Sequence, residues 1–137
     1  MARPTNALIV DDEAHVRVYV RLLLKKLGIE TVWEAADGAQ ALAKIAEHRP
    51  ELVMLDINLP QMSGMDVLAK LQTERFRPPV IMMSSLSSLK IVTECVKLGA
   101  LAYVLKHSPQ AQALKTLAEA LAQLDDSGDT DEEPVAQ

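Results

Sequence analysis

Five polar residues of this 137-residue chain stand directly after short apolar runs. Asp11 and Asp12 follow "ALIV", Asp56 follows "LVML", Ser84 follows "VIMM", and Lys106 follows "LAYVL". Three carboxylates gathered in one cleft repel each other. Two unit charges about 4 Å apart at an effective dielectric near 20 interact by roughly 4 kcal/mol. Such a cluster needs cations. Lys106 supplies one positive charge, and a divalent ion supplies two more, which balances three carboxylates. An all-oxygen site of this kind suits a hard cation, and magnesium accepts a few carboxylates while keeping its waters. A carboxylate beside such an ion is suited to phosphoryl transfer. The metal and Lys106 stabilise the transferring group's oxygens, and the Ser84 hydroxyl donates to one of them.

These residues act together only if the fold brings them to one rim. Four of the five apolar runs are nearly continuous, as in strands buried on both faces of a parallel sheet. The exception, "TVWEA" from Thr31, carries Glu34 inside it and is expected near an edge. Helical spacing fills the gaps. Val16, Val20, Leu23 and Leu27 form one stripe, stopped by Gly28. Ala39, Leu42, Ala43 and Ile45 mark a second helix, with Pro50 beyond its end. Met65, Leu68 and Leu71 mark a third. Ile91, Cys95 and Leu98 mark a fourth, closed by Gly99. In the last, Ser108 is expected as N-cap and Pro109 at the first helical position, ahead of Leu114, Leu117, Leu121 and Leu124. Strands alternating with helices imply an α/β fold with a mostly parallel sheet covered on both faces. In such sheets function collects at the carboxyl ends of the strands, near the topological switch point. All five polar residues belong there.

Composition narrows the function classes. A net charge of −5 argues against nucleic-acid binding through a basic face. A single cysteine, Cys95, excludes an intramolecular disulfide and lies on a helical apolar stripe. No apolar run approaches the roughly 18 residues that span a bilayer. The N-terminal "MARPTNALIVDDE" lacks the apolar stretch of a signal peptide, so a cytoplasmic location is the expectation. His15, His48 and His107 share no metal-ligand spacing. After Leu124, "DDSGDTDEEPVAQ" is acidic and aperiodic, so residues 125–137 are expected to be a disordered tail behind a single domain over residues 1–124.

At "LIVDDE", "LDINLPQMSG", "PVIMMSS" and "GALAYVLK" the chain resembles the receiver domain of two-component response regulators, over roughly Asn6 to Leu124. The resemblance implies a doubly wound five-stranded parallel sheet with five helices, the flavodoxin-like receiver fold. It implies that Asp56 accepts a phosphoryl group from a sensor histidine kinase or a histidine phosphotransfer protein. By the same correspondence Asp12, Asp56 and the Asn58 carbonyl bind Mg2+, with Asp11 assisting through water. Ser84 and Lys106 contact the phosphoryl group, and Ser84 and Tyr103 form the switch. The surface of the fourth helix, fifth strand and fifth helix would then engage a downstream protein, with the chain a monomer or weak dimer.

Two positions depart from the family pattern. Proline usually follows the lysine, and here His107 does. A cis bond before a non-proline residue costs about 2.5–4 kcal/mol, so a trans bond is expected. Leu86 stands two residues after Ser84, where polar residues are frequent in the family, and is expected to alter water access to the phosphoryl group. Three other readings use the same residues. One is the receiver part of a longer transcriptional regulator. Another is a pseudo-receiver that binds a partner without phosphorylation, which the intact Asp11, Asp12, Asp56, Ser84 and Lys106 argue against. The third is a phosphohydrolase, for which no separate general acid is visible.

Overall fold

The computed structural model describes residues 3–86 and 88–135, with side chains as far as Leu124. Five strands and five helices alternate: β1 (Asn6–Val10), α1 (Ala14–Lys26), β2 (Thr31–Ala35), α2 (Gly38–His48), β3 (Val53–Asp56), α3 (Gly64–Leu71), β4 (Val80–Ser84), α4 (Leu89–Lys97), β5 (Ala102–Leu105) and α5 (Gln110–Val135). All strand pairs are parallel, in the order β2-β1-β3-β4-β5. This is the expected doubly wound α/β sheet. Its direction of progression reverses between β1 and β3, so their carboxyl ends border the crevice.

Alternation along each strand divides the core into two layers. Ala7, Ile9, Met54, Ile81 and Met83 face the layer built with Val20, Leu23 and Leu24 of α1 and Leu117 and Leu121 of α5. Leu8, Val10, Val53, Leu55, Val80 and Met82 face the other, with Ile45 of α2, Leu68 and Leu71 of α3 and Cys95 of α4. The three central strands are therefore apolar without a break because both faces are covered. β2 is an edge strand, as Glu34 suggested. β5 is the other edge, and here the expectation of a fully buried run fails. Only Val104 is buried, and Leu105 is 38% exposed, because a strand with one neighbour is covered less completely.

Helix ends follow local chemistry. Gly28 at φ 90° and Gly99 at φ 98° close α1 and α4, where Ile29 N–H reaches Leu24 O and Ala100 N–H reaches Cys95 O. Such paired returns need a left-handed residue, which glycine adopts without a Cβ clash. Two expected details shift. On α2 the buried residues are Gly38, Ala41 and Ile45, while Ala39 and Ala43 are exposed; alanine in both places made the face ambiguous by one step. At α5 the Ser108 hydroxyl does not cap the helix but donates back to Leu105 O at 2.8 Å. Pro109 O accepts from Ala113 N–H at 3.0 Å, so the helix starts one residue later than expected. The acidic segment expected as a tail begins at Asp125. Its backbone continues α5 to Val135, and its side chains lie outside the described residues.

One glycine sits against the backbone of the site. A Cβ on Gly64 would lie 2.1 Å from Asp56 O and 2.9 Å from the Ile57 Cα. The Gly64 N–H meanwhile donates to Ile57 O at 2.8 Å, docking α3 on the turn after β3. Nothing there is a flexible side-chain tip, so a methyl must displace main chain. Gly64→Ala is expected to lower the unfolding free energy by about 2–3 kcal/mol in urea titrations, the range of core overpacking. A wild-type midpoint would refute that close approach.

Candidate functional site

Sheet register assembles the site. Val10 pairs with Leu55, so Asp11 and Asp56 emerge side by side from β1 and β3. Ser84 pairs with Leu105, and the Lys106 N–H donates to Ser84 O at 2.8 Å, which brings the Lys106 backbone to the same rim. Asp11 is 0% exposed, Asp56 1% and Ser84 0%, whereas Asp12 is exposed. Lys106, with its side chain 14% exposed, places Nζ 2.7 Å from Asp11 Oδ2 and 3.1 Å from Asp56 Oδ1. One carboxylate oxygen from each of Asp11, Asp12 and Asp56 falls within 4.8 Å of the others. The structure thus brings together Asp11, Asp12, Asp56 and Lys106 as the sequence suggested.

The electrostatics follow from this crowding. Burial, reinforced by the Asp11 charge, lifts the Asp56 pKa from the ordinary 3.8 to about 6, although Lys106 and the Asn58 N–H pull it down. Burial works against the Lys106 ammonium, yet Asp11 and Asp56 outweigh it and hold its pKa above the ordinary value. Asp11 Oδ1 accepts the Glu13 N–H at 2.9 Å. Asp11 Oδ2 is buried with no hydrogen bond beyond its ionic contact with Lys106. A buried, under-satisfied carboxylate oxygen facing two other carboxylates fits a hard divalent cation with oxygen ligands. Receiver domains bind Mg2+ at acidic residues of this kind.

The remaining predicted residues take more indirect positions. The Asn58 N–H donates to Asp56 Oδ1 at 3.3 Å, and Asn58 lines the cavity beside the acids. The Ser84 hydroxyl accepts the Leu86 N–H at 3.0 Å, folded onto its own loop. Ser85, not Ser84, borders the cavity. The half-buried Tyr103 donates its hydroxyl to Leu86 O at 2.7 Å. Among the described residues no peptide bond is cis, so the bond before His107 is trans as expected. The cavity, of about 740 Å³, is lined by Asp12, Asp56 and Lys106 together with the apolar Met54, Val104 and Leu117. Sequence reasoning missed Arg17, whose guanidinium donates to Asp11 O at 2.7 Å. Its one sequence signal was the spacing of Arg17 and Arg21 on α1, without any hint of their shared partner Glu34.

A parallel doubly wound sheet with an acidic, lysine-bridged pocket at its switch point defines a class of α/β domain with an oxygen-lined site at the strand ends. The model of the response regulator receiver domain matches residues 7–118. The chain belongs to that family, the receiver domain of two-component signalling. It is 37% identical over 99 residues to the chemotaxis protein CheY of Bacillus subtilis, covering 72% of this chain and 82% of that protein. It is 38% identical over 118 residues to a protein-glutamate methylesterase/protein-glutamine glutaminase of Archaeoglobus fulgidus, covering 85% of this chain but only 34% of that one. Among solved structures, the CheY-like receiver protein of Methanospirillum hungatei superposes with a TM-score of 0.78 at 29% identity, covering 90% of this chain and 98% of that one. The CheX–CheY–BeF3–Mg complex of Borrelia burgdorferi gives 0.78 at 29% identity, covering 85% and 89%.

The lifted Asp56 pKa sets a pH dependence for the metal-free protein. Below the ordinary value of 3.8 the carboxyl is neutral folded and unfolded, and its contribution to stability is fully present. That contribution is lost as pH rises through about 6, where the folded state must also give up the proton. Asp56→Asn, in chelator, is expected to be more stable than wild type at about pH 7.5 by up to about 2 kcal/mol. The gain should vanish near about pH 4. Urea titrations at both pH values check this, and an equal gain at both would contradict it.

Proposed function

We propose that the chain is a phosphorylation-controlled signalling module in which Asp56 accepts a phosphoryl group from the phosphohistidine of a sensor kinase or phosphotransfer protein. The observation that carries this reading is a nearly inaccessible Asp56 held 3.1 Å from Lys106 and within 4.8 Å of Asp11 and Asp12 oxygens. Asp56 Oδ1 is engaged by Lys106 and the Asn58 N–H, which leaves Oδ2 as the attacking oxygen. The Oδ2–P bond forms as the bond from phosphorus to the donor nitrogen breaks, and the electron pair leaves with the imidazole. Asp12, Asp56 and the Asn58 carbonyl would hold Mg2+, with Asp11 acting through water. When bound, the ion supplies positive charge against the equatorial oxygens. Lys106 would neutralise the same oxygens, and burial of Asp56 would limit the water that competes for the phosphoryl group. The protein is then a stoichiometric acceptor that assists its own labelling.

The loop after β4 transmits the change. Leu86 is shared: its N–H is bonded to Ser84 and its carbonyl to Tyr103. A phosphoryl group adds about −1.5 to −2 charges and strong acceptors. Drawing the Ser84 hydroxyl toward it breaks the Leu86 N–H bond and moves the carbonyl that holds Tyr103. Leu89 and Val96 on α4 and Leu105 on β5 are exposed apolar residues, suited to a downstream protein partner. Among the described residues no helix is long and apolar enough to cross a membrane.

Incubation with acetyl phosphate and MgCl2, followed by intact mass, is expected to add one phosphoryl group to the wild type and none to Asp56→Asn. Equal labelling of the two proteins would sink the assignment of Asp56. A wild type that stays unlabelled with the donor left intact would favour a phosphorylation-independent module, and one that consumes many equivalents of donor without label would favour a phosphohydrolase.

A further inference from the structure

One charged side chain outside the acid cluster converges on it from a second element. Arg17, on α1, has its side chain only 18% exposed. Its NH1 donates to Asp11 O at 2.7 Å, and its Nε donates to Glu34 Oε1 at 2.7 Å. Glu34 lies on the edge strand β2 and is itself held at Oε2 by Arg21, while Lys44 donates to the Glu34 carbonyl. Hydrogen bonds from Arg21 and Arg17 hold the Glu34 carboxyl below its ordinary pKa despite the opposing effect of burial, so the anchor stays charged.

The peptide that Arg17 grips is the one joining Asp11 to Asp12. Asp11 has further fixings: its N–H donates to Ala35 O at 3.1 Å, its Oδ1 accepts from Glu13, and its Oδ2 meets Lys106. Asp12 is exposed, and among the described residues its carboxylate has no hydrogen bond or ion pair. With no side-chain partner, its direction toward Asp11 and Asp56 depends on its own rotamer and on the main chain that carries it. Rotation of the Asp11–Asp12 peptide would swing that carboxylate out of the cluster, and the Arg17 hydrogen bond opposes that rotation.

Building on the reading of Asp11, Asp12 and Asp56 as a magnesium site, we propose that Arg17 is a positioning residue for it, clamping the Asp11–Asp12 peptide with Glu34 as its anchor. The guanidinium's planar fork spans the Asp11 carbonyl and the Glu34 carboxylate at once. A lysine ammonium carries the same charge but is a compact point donor without that fork. Charge and position are thus separable by substitution. Arg21 touches the anchor without touching the site, so Arg21→Ala serves as the milder control.

The test is a titration with MgCl2 alone, with no phosphodonor, followed by backbone amide shifts in nuclear magnetic resonance spectra that also report the fold. Arg17→Ala and Arg17→Lys are expected to weaken magnesium binding about tenfold, the scale for groups that orient metal ligands. Glu34→Gln is expected to weaken it less, in the same direction, and Arg21→Ala less again. At saturating magnesium the final extent of labelling by acetyl phosphate stays at the wild-type level, which separates lost positioning from a damaged fold. Wild-type affinity in Arg17→Ala overturns the proposal, as does restored affinity in Arg17→Lys, which would make charge the cause. If Arg17→Ala fails to fold, Glu34→Gln decides: unchanged affinity overturns the clamp. Magnesium binding with these shifts but no phosphoryl uptake by the wild type supports the clamp and removes the phosphoacceptor reading. A wild type that binds no magnesium overturns both.

Discussion

A single ammonium holds the centre of this molecule together. Lys106 Nζ lies 2.7 Å from Asp11 Oδ2 and 3.1 Å from Asp56 Oδ1, where both acids are almost wholly shielded from water. Two like charges at such a place repel by a few kcal/mol, roughly 4 at 4 Å and an effective dielectric near 20. The lysine offsets part of that repulsion, while burial, with the Asp11 charge added to it, still lifts the Asp56 pKa to about 6. Three carboxylates against one lysine give the site an excess of negative charge. That excess of negative charge is what suits the pocket to a hard divalent ion with oxygen ligands.

Keeping the acids in that unfavourable position requires a rigid frame. β1, β3 and β4 are buried on both faces, so neither strand end can relax outward without opening a core layer. Gly64 lets α3 lie directly against the Asp56 carbonyl, and the Ser63–Asp66 capping box starts that helix at a defined residue. On the other side Arg17 and Glu34 tie the Asp11 turn to the edge strand. The groups that reach the site from the far side of the sheet are few: Lys106 comes from the end of β5, and Ser84 is turned toward Leu86.

Much of this was legible beforehand. Apolar runs ending in Asp11, Asp56 and Ser84 announced strands covered on both faces, and Glu34 within "TVWEA" marked an edge. Gly28 and Gly99 marked helix ends because a left-handed residue is a local requirement. Where two residues were equally suited, the pattern failed. Alanines on α2 left its buried face ambiguous, and Ser108 followed by Pro109 suited either of two starts for α5. The β5 edge was hidden because "LAYVL" is as apolar as a central strand, and exposure depends on how many neighbours a strand has.

The sequence by itself determined which groups exist to do chemistry and at which ends of which elements they stand, since periodicity and strand termini are properties of neighbouring residues. It also carried the family resemblance. Only the tertiary structure decided their partners. Register set Asp11 beside Asp56, and a crossing over β4 put Lys106 between them. Leu86 became the common contact of Ser84 and Tyr103, and Arg17 met Glu34 across the gap from α1 to β2. Such pairings join residues far apart along the chain, and strand order and packing determine them, which local patterns do not record.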